Sequence, residues 1–356
     1  LTNAGMPMSQ PTATSPNFMA PAPGSLDSSR DLAAVSMRRP AGSPDIFGNM
    51  PAQSGSPMAR RPARNSYGSV RRVSFSSEGA DFDPEMDKTG KWLVFASTRH
   101  RETSDLYYKR IDSSAITQLT DDPANDVMPA ISPDGKQIAF NSDRSGNWDI
   151  YLMDSTGGQA MQVTNDPAHE IHPSFSPDGK WLVYCRYGDQ TSQWELVVIE
   201  LANPSTKRFI GYGLFPNWSP VDNQIVFQRA RERGTRWFSI WTVHMVDGQA
   251  MRPTEIAASA NAAVITPDWS PDGRFVVFCT IMDHGGGGRI GPNNSLDRPQ
   301  PADIWMVDAQ GRNRMNLTQS QFTNLQPVWS NDGTIYFTSN RSLGKVENIW
   351  SLKPDR

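Results

Sequence analysis

The chain has 356 residues, 20% of them charged and 37% hydrophobic, with a net charge of −3. That length supplies one large domain or two ordinary ones. The near-balanced charge excludes a globally basic nucleic-acid binder, and no stretch approaches the roughly 18 apolar residues of a membrane span. The chain opens at Leu1 with no initiator Met, no visible signal peptide and no acylated cysteine. We therefore expect a removed leader or an incomplete start, and no covalent anchor.

The first element is an arm, residues 1–66, with ten Pro, ten Ser, ten Ala and six Met. Such a composition cannot bury enough apolar surface to offset the entropy of ordering it, so alone it reads as an extended tail or linker. Its six arginines face three aspartates, a net of +3 that leaves −6 for the rest of the chain. Extended, it spans up to roughly 200 Å at about 3.1 Å per residue. These features suit a docking strap across protein subunits of a larger, membrane-embedded complex. Arg38, Arg39, Arg60, Arg61 and Arg64 would meet acidic patches or lipid phosphates, and Phe47 and Met50 shallow apolar grooves.

From residue 67 onward a repeat takes over. Its clearest copy runs Pro129-Ala130-Ile131-Ser132-Pro133-Asp134-Gly135-Lys136-Gln137-Ile138-Ala139-Phe140, then Ser142-Asp143-Arg144 and Asp149-Ile150-Tyr151. Copies lead to closing aromatics at Phe95, Phe140, Tyr184, Phe227, Phe278 and Phe337, a period of about 44 with insertions in the last two. Each copy predicts a short inner strand and a Pro-Asp-Gly turn, with Pro presetting φ and Gly accepting positive φ. An almost wholly apolar second strand follows, then a third opening on Asp-Ile-Tyr or a relative, then a polar edge strand. Six such units predict an all-β, six-bladed propeller of four-stranded blades over residues 67–356. The sixth copy stops after three strands, at Leu352, while Val70–Phe75 is an edge strand lacking the other three. Pairing the two closes the ring.

The Ser-Pro-Asp-Gly-Lys turn, the apolar strand, Ser-Asp-Arg and Asp-Ile-Tyr together resemble the repeat of the TolB-like propellers. The likeness covers about residues 67–356. The Gly-His and Trp-Asp pairs of WD repeats are absent, and the arm is unlike the α/β domain that precedes the propeller in TolB. The resemblance implies the fold, protein partners and a periplasmic or cell-envelope location.

Chemistry-bearing patterns are sparse. His169-Glu170-Ile171-His172 spaces its histidines by three, where a helical zinc motif needs four, and we expect it in a rim loop. Asp283-His284-Gly285-Gly286-Gly287-Gly288-Arg289 opens a long insertion in blade five without the Gly-Lys-Ser/Thr of a phosphate loop. His284 and Arg289 there are contact candidates. Arg99, Arg144, Arg231 and Arg341 stand four residues past the closing aromatic, and we expect ion pairs with the nearby Asp of Asp-Ile-Tyr. Tyr107, Tyr151, Trp241, Trp305 and Trp350 are expected to pack blade against blade. Cys185 and Cys279 occupy equivalent slots in non-neighbouring blades and read as small buried hydrophobes, too far apart to bridge. No catalytic, cofactor or metal residue can be assigned. The expectation is a non-enzymatic interaction scaffold. The alternatives are a ligand- or glycan-binding central channel, and a hydrolase or lyase at the propeller mouth.

Overall fold

The computed structural model describes residues 70–230, 238–260, 262–282, 301–319, 321–342 and 346–354. Every regular element among them is a β-strand, and the strands form six four-stranded antiparallel sheets. Five blades are consecutive in sequence. The sixth combines three C-terminal strands with Arg71–Arg72, which pairs with Trp350 and Ser351. The predicted clasp is thus present, though its ladder is shorter than Val70–Phe75. Beyond it, Val73 and Ser74 N–H donate to Ile349 O, and Ser76 N–H donates to Asn348 Oδ1 at 2.8 Å.

The second strand of each blade is the core. In Trp92–Ser97, Leu93, Val94, Phe95 and Ala96 are all fully buried. The six closing aromatics are 0–4% exposed, and burying each stabilises the fold by about 2–3 kcal/mol. Blade one packs on blade six through Phe95 and Tyr107 against Val328, Tyr336 and Ile349. The third-strand aromatic Tyr107 thus joins blade to blade as expected. The turns form as read: in blade two, Gly135 N–H donates to Ser132 O, and Ser132 Oγ bridges Asp134 Oδ1 at 2.7 Å and Gln137 N–H at 2.9 Å. Gly135 sits at φ 71°, where a side chain would be strained.

The inner strands differ from expectation. They run Asp81–Met86, Asp126–Ile131, Glu170–Phe175, Leu214–Trp218, Ala262–Trp269 and Asn324–Trp329, so each starts ahead of the repeat's proline and contains it. His172 therefore lies within an inner strand, not in a rim loop.

Candidate functional site

Each inner strand is interrupted once, at the same place. In blade two the register passes from Val127↔Asn141 to Ala130↔Ala139, so Met128 and Pro129 together oppose Phe140. The same two-against-one bulge faces the closing aromatic in all six blades. The first bulge residue is always left-handed: Asp83, Met128, His172, Phe215, Thr266 and Gln326 have φ between 48° and 58°. Such a conformation costs a non-glycine residue about 1–2 kcal/mol, and six occurrences need compensation. The second bulge residue is always proline, and a bulge otherwise leaves an N–H unpaired. Proline has none to leave.

The compensation comes from neighbouring blades. Asn141 Oδ1 accepts from His172 N–H at 2.8 Å, and Gln228 Oε1 accepts from Thr266 N–H at 2.8 Å. Cys185 and Cys279 fill the equivalent slots, one residue past the closing aromatic, and accept from the N–H of Phe215 and Gln326. Both cysteines are buried and free, as read, but they are also hydrogen-bond acceptors between blades. Burial pushes the Cys279 thiol up to about 12 and Cys185 higher still, so both stay protonated. Blade one has Ala96 in this slot. There Asp83 Oδ2 accepts from Met128 N–H at 3.2 Å instead. In blade six, Thr338 donates to Gln326 Oε1 at 2.9 Å, and that oxygen accepts from Asp83 N–H at 3.3 Å. The ring of caps is complete.

These bulges line the central channel, a cavity of about 100 Å³. That is room for a few waters, well under the roughly 300 Å³ at which organic-ligand pockets begin. A second tier of polar side chains links blades just beyond the prolines. Ser174 Oγ donates to Asn217 Oδ1 at 3.2 Å and accepts from Trp218 N–H at 3.0 Å. Asn217 Nδ2 donates to Asp268 Oδ1 at 2.6 Å, and Asp268 Oδ2 accepts from Trp329 N–H at 2.8 Å. Burial pushes the Asp268 carboxyl up to about 7 against the N–H groups of Trp329 and Trp269. Burial, with the neighbouring Asp268, also holds Glu85 well above the usual carboxylate range. His172, its ring 3.9 Å from that of Phe215, is driven down to about 3 by burial and is neutral. Among the described residues that line the channel, none is a lysine or arginine.

The recurrent arginines lie at the other end of the inner strands. Arg99 pairs with Asp81 at 2.7 Å and Arg144 with Asp126 at 3.0 Å, while Arg341 donates to Asn324 Oδ1 at 2.9 Å. The partner is thus the first residue of the inner strand, not the Asp of Asp-Ile-Tyr as expected. The guanidinium also lies over two rings of its own blade, such as Phe140 and Tyr151 for Arg144. In blade three the cation comes from another strand: the fully buried Glu170 is met at 2.7 Å by Lys207 from the outer strand. His169 Nδ1 accepts from Trp148 N–H at 3.2 Å. Among the described residues no group of three or more His, Cys, Asp or Glu is arranged to hold a metal ion.

The contact candidates Arg38, Arg39, Phe47, Met50, Arg60, Arg61, Arg64, His284 and Arg289, together with Arg231, lie outside the described residues. The sequence reading passed over Asp83, Glu85, Asn217, Asp268 and Gln326. Aligning the six copies on their prolines would have placed all five around one axis.

Residues 65–244 match the family model described as the TolB beta propeller domain. A TolB homologue from Chlorobium luteolum is 31% identical over 90 residues, 25% of this chain and 20% of that protein. The chain thus matches only a fifth of that relative's length. The structure of TolB from Acinetobacter baumannii superposes with a TM-score of 0.55 at 20% identity, covering 70% of this chain and 57% of that one. An oligogalacturonate lyase from Vibrio parahaemolyticus gives 0.52 at 13% identity, covering 80% and 93%. At these identities both share the fold.

Proposed function

The chain belongs to the TolB β-propeller family, and on that premise we propose that it is a non-enzymatic interaction scaffold of the cell envelope. Its rigid propeller serves as an extrinsic stabilising subunit of a larger, membrane-embedded complex, docked by residues 1–66. The observation that carries this reading is the state of the channel. Asp83, Ser174, Asn217, Asp268 and Gln326 are spent on blade-to-blade hydrogen bonds, which leaves His172 Nε2 and Thr266 Oγ1 without partners among the described residues, and the remaining space suits water rather than a sugar or peptide. What is left for recognition is the outer surface and the arm. The outer surface presents Phe209, Val221, Val246 and Met251 in and beside blades three and four, all 47–56% exposed. The arm brings six arginines and ten prolines. Affinity purification of the full chain from its native membrane, followed by mass spectrometry, tests the proposal. Stoichiometric membrane subunits support it, and recovery of the propeller alone contradicts it. The likeness to the lyase is one of fold alone, and among the described residues no group of three or more His, Cys, Asp or Glu is arranged to hold a metal ion that would favour a catalytic reading.

A further inference from the structure

A cleft of about 340 Å³ opens between blades three and four, within the range of ligand pockets. It is lined by Pro177, Trp181, Trp218 and Met245, with Asp178 and Asp247 at its mouth. One face of Trp181 is taken by the guanidinium of Arg208 at 5.0 Å, which also abuts Gly248, while the indole still lines the cleft. Carboxylates Asp178, Asp222 and Asp247 outnumber the nearby cations Lys180 and Arg208; Lys180 and the turn's own hydrogen bonds stabilise Asp178, Gln224 donates to Asp222, and Asp247 is exposed. Apolar and aromatic walls with acidic rims are the surface that proline-rich segments with flanking arginines recognise: the proline ring lies on the indole and the guanidinium meets carboxylate.

The chain itself contains such a segment twice: Arg-Arg-Pro-Ala at Arg38–Ala41 and again at Arg60–Ala63. The arm joins the propeller on the face where the cleft opens. Arg71 pairs with Ser351 at the end of the last strand, and Lys353 there lies 3.7 Å from Asp332 of the blade-six turn. The cleft is built from the corresponding turns of blades three and four. Blade six stands opposite blade three, so a path to the cleft crosses four strands, about 15 Å, and then the channel mouth. About nine residues separate Arg61 from Val70, a reach of roughly 28 Å that leaves no slack. About 31 separate Arg39 from Val70, a reach of roughly 95 Å.

We infer that the cleft between blades three and four is a docking site for the chain's own Arg38–Ala41 segment. The inference does not depend on the proposed assembly. Docking at this point leaves the residues ahead of Arg38 available to a partner.

Disulfide trapping in the full chain tests it. Cys185 and Cys279 are fully buried and stay silent. Ala41→Cys is combined with Gln249→Cys, an exposed position beside the Asp247-Gly248 hairpin, or with Lys136→Cys on the blade-two turn as control. Under mild oxidation, the Ala41/Gln249 pair should close intramolecularly at least about tenfold faster than the control, because docking raises the local concentration. Asp247→Asn, which tolerates the left-handed backbone there, and Arg38→Glu with Arg39→Glu should each bring that rate towards the control. Equal rates for the two pairs overturn the inference, as do disulfide-linked dimers in place of an intramolecular product. Faster closure by Ala63→Cys with Gln249→Cys overturns the assignment to the first Arg-Arg-Pro-Ala copy.

Discussion

Asn141 offers the sharpest test of the ring of caps. It is fully buried, accepts from the left-handed His172 N–H at 2.8 Å, and donates through Nδ2 to Glu170 O at 2.7 Å. Asn141→Ala strands one buried donor and one buried acceptor on the next blade. Each stranded group costs about 1–3 kcal/mol, giving roughly 2–6 kcal/mol together. For a domain of this size that lowers Tm by roughly 5–10 °C. Asn141→Cys restores the arrangement of blades three and five, where a thiol accepts the equivalent N–H. It leaves only Glu170 O unpaired, so its loss should be about half that of alanine. Urea unfolding at neutral pH, followed by near-ultraviolet circular dichroism, measures both. Equal destabilisation by alanine and cysteine would refute the reasoning, since their difference is the cap itself. So would an alanine loss below about 1 kcal/mol.

Three further outcomes follow from the same geometry. Arg144→Ala leaves Asp126 buried without its cation and should cost about 3–5 kcal/mol at pH 8, with less towards acid pH because burial raises the Asp126 carboxyl; Arg341→Ala, whose hydrogen-bond partner is the neutral Asn324 with Asp303 as its acidic neighbour, should cost less than half as much. Asp268, raised from 3.8 to about 7, favours folding fully below pH 4 and loses that contribution as pH rises through 7, so wild type should weaken relative to Asp268→Asn across this window in denaturant titrations, and parallel curves would contradict the shift. Asn348→Ala removes the clasp's bonds to Ser74 Oγ and Ser76 N–H, and trypsin should then cut at Arg71 or Arg72 at least several-fold faster than in wild type.

The blade count and closure were legible because the closing aromatic is buried in every copy and returns about every 44 residues until the insertions of the last two. The Pro-Asp-Gly turns were legible because their backbone needs those residues. The bulges were not, because a proline such as Pro173 ordinarily marks the edge or end of a strand. Its missing N–H is what the bulge requires, so the inner strands begin several residues earlier than the sequence suggested. Asp81 and Asp126 were missed as arginine partners for the same reason. The caps were hidden differently. Their slot holds Ala96, Asn141, Cys185, Gln228, Cys279 and Thr338, a role shared by position and by no residue type. Asp268 and Glu85 lie on different blades, and only the closed ring brings their charges together.

The most direct test of the scaffold reading compares the full chain with a variant lacking residues 1–66, both purified from the native membrane through the same C-terminal tag. The variant keeps every described strand, including the Arg71–Arg72 clasp, and should give the same circular dichroism spectrum. The full chain should bring down membrane subunits in fixed proportion, and the variant should lose them. Retention of those subunits by the folded, armless propeller would contradict the account.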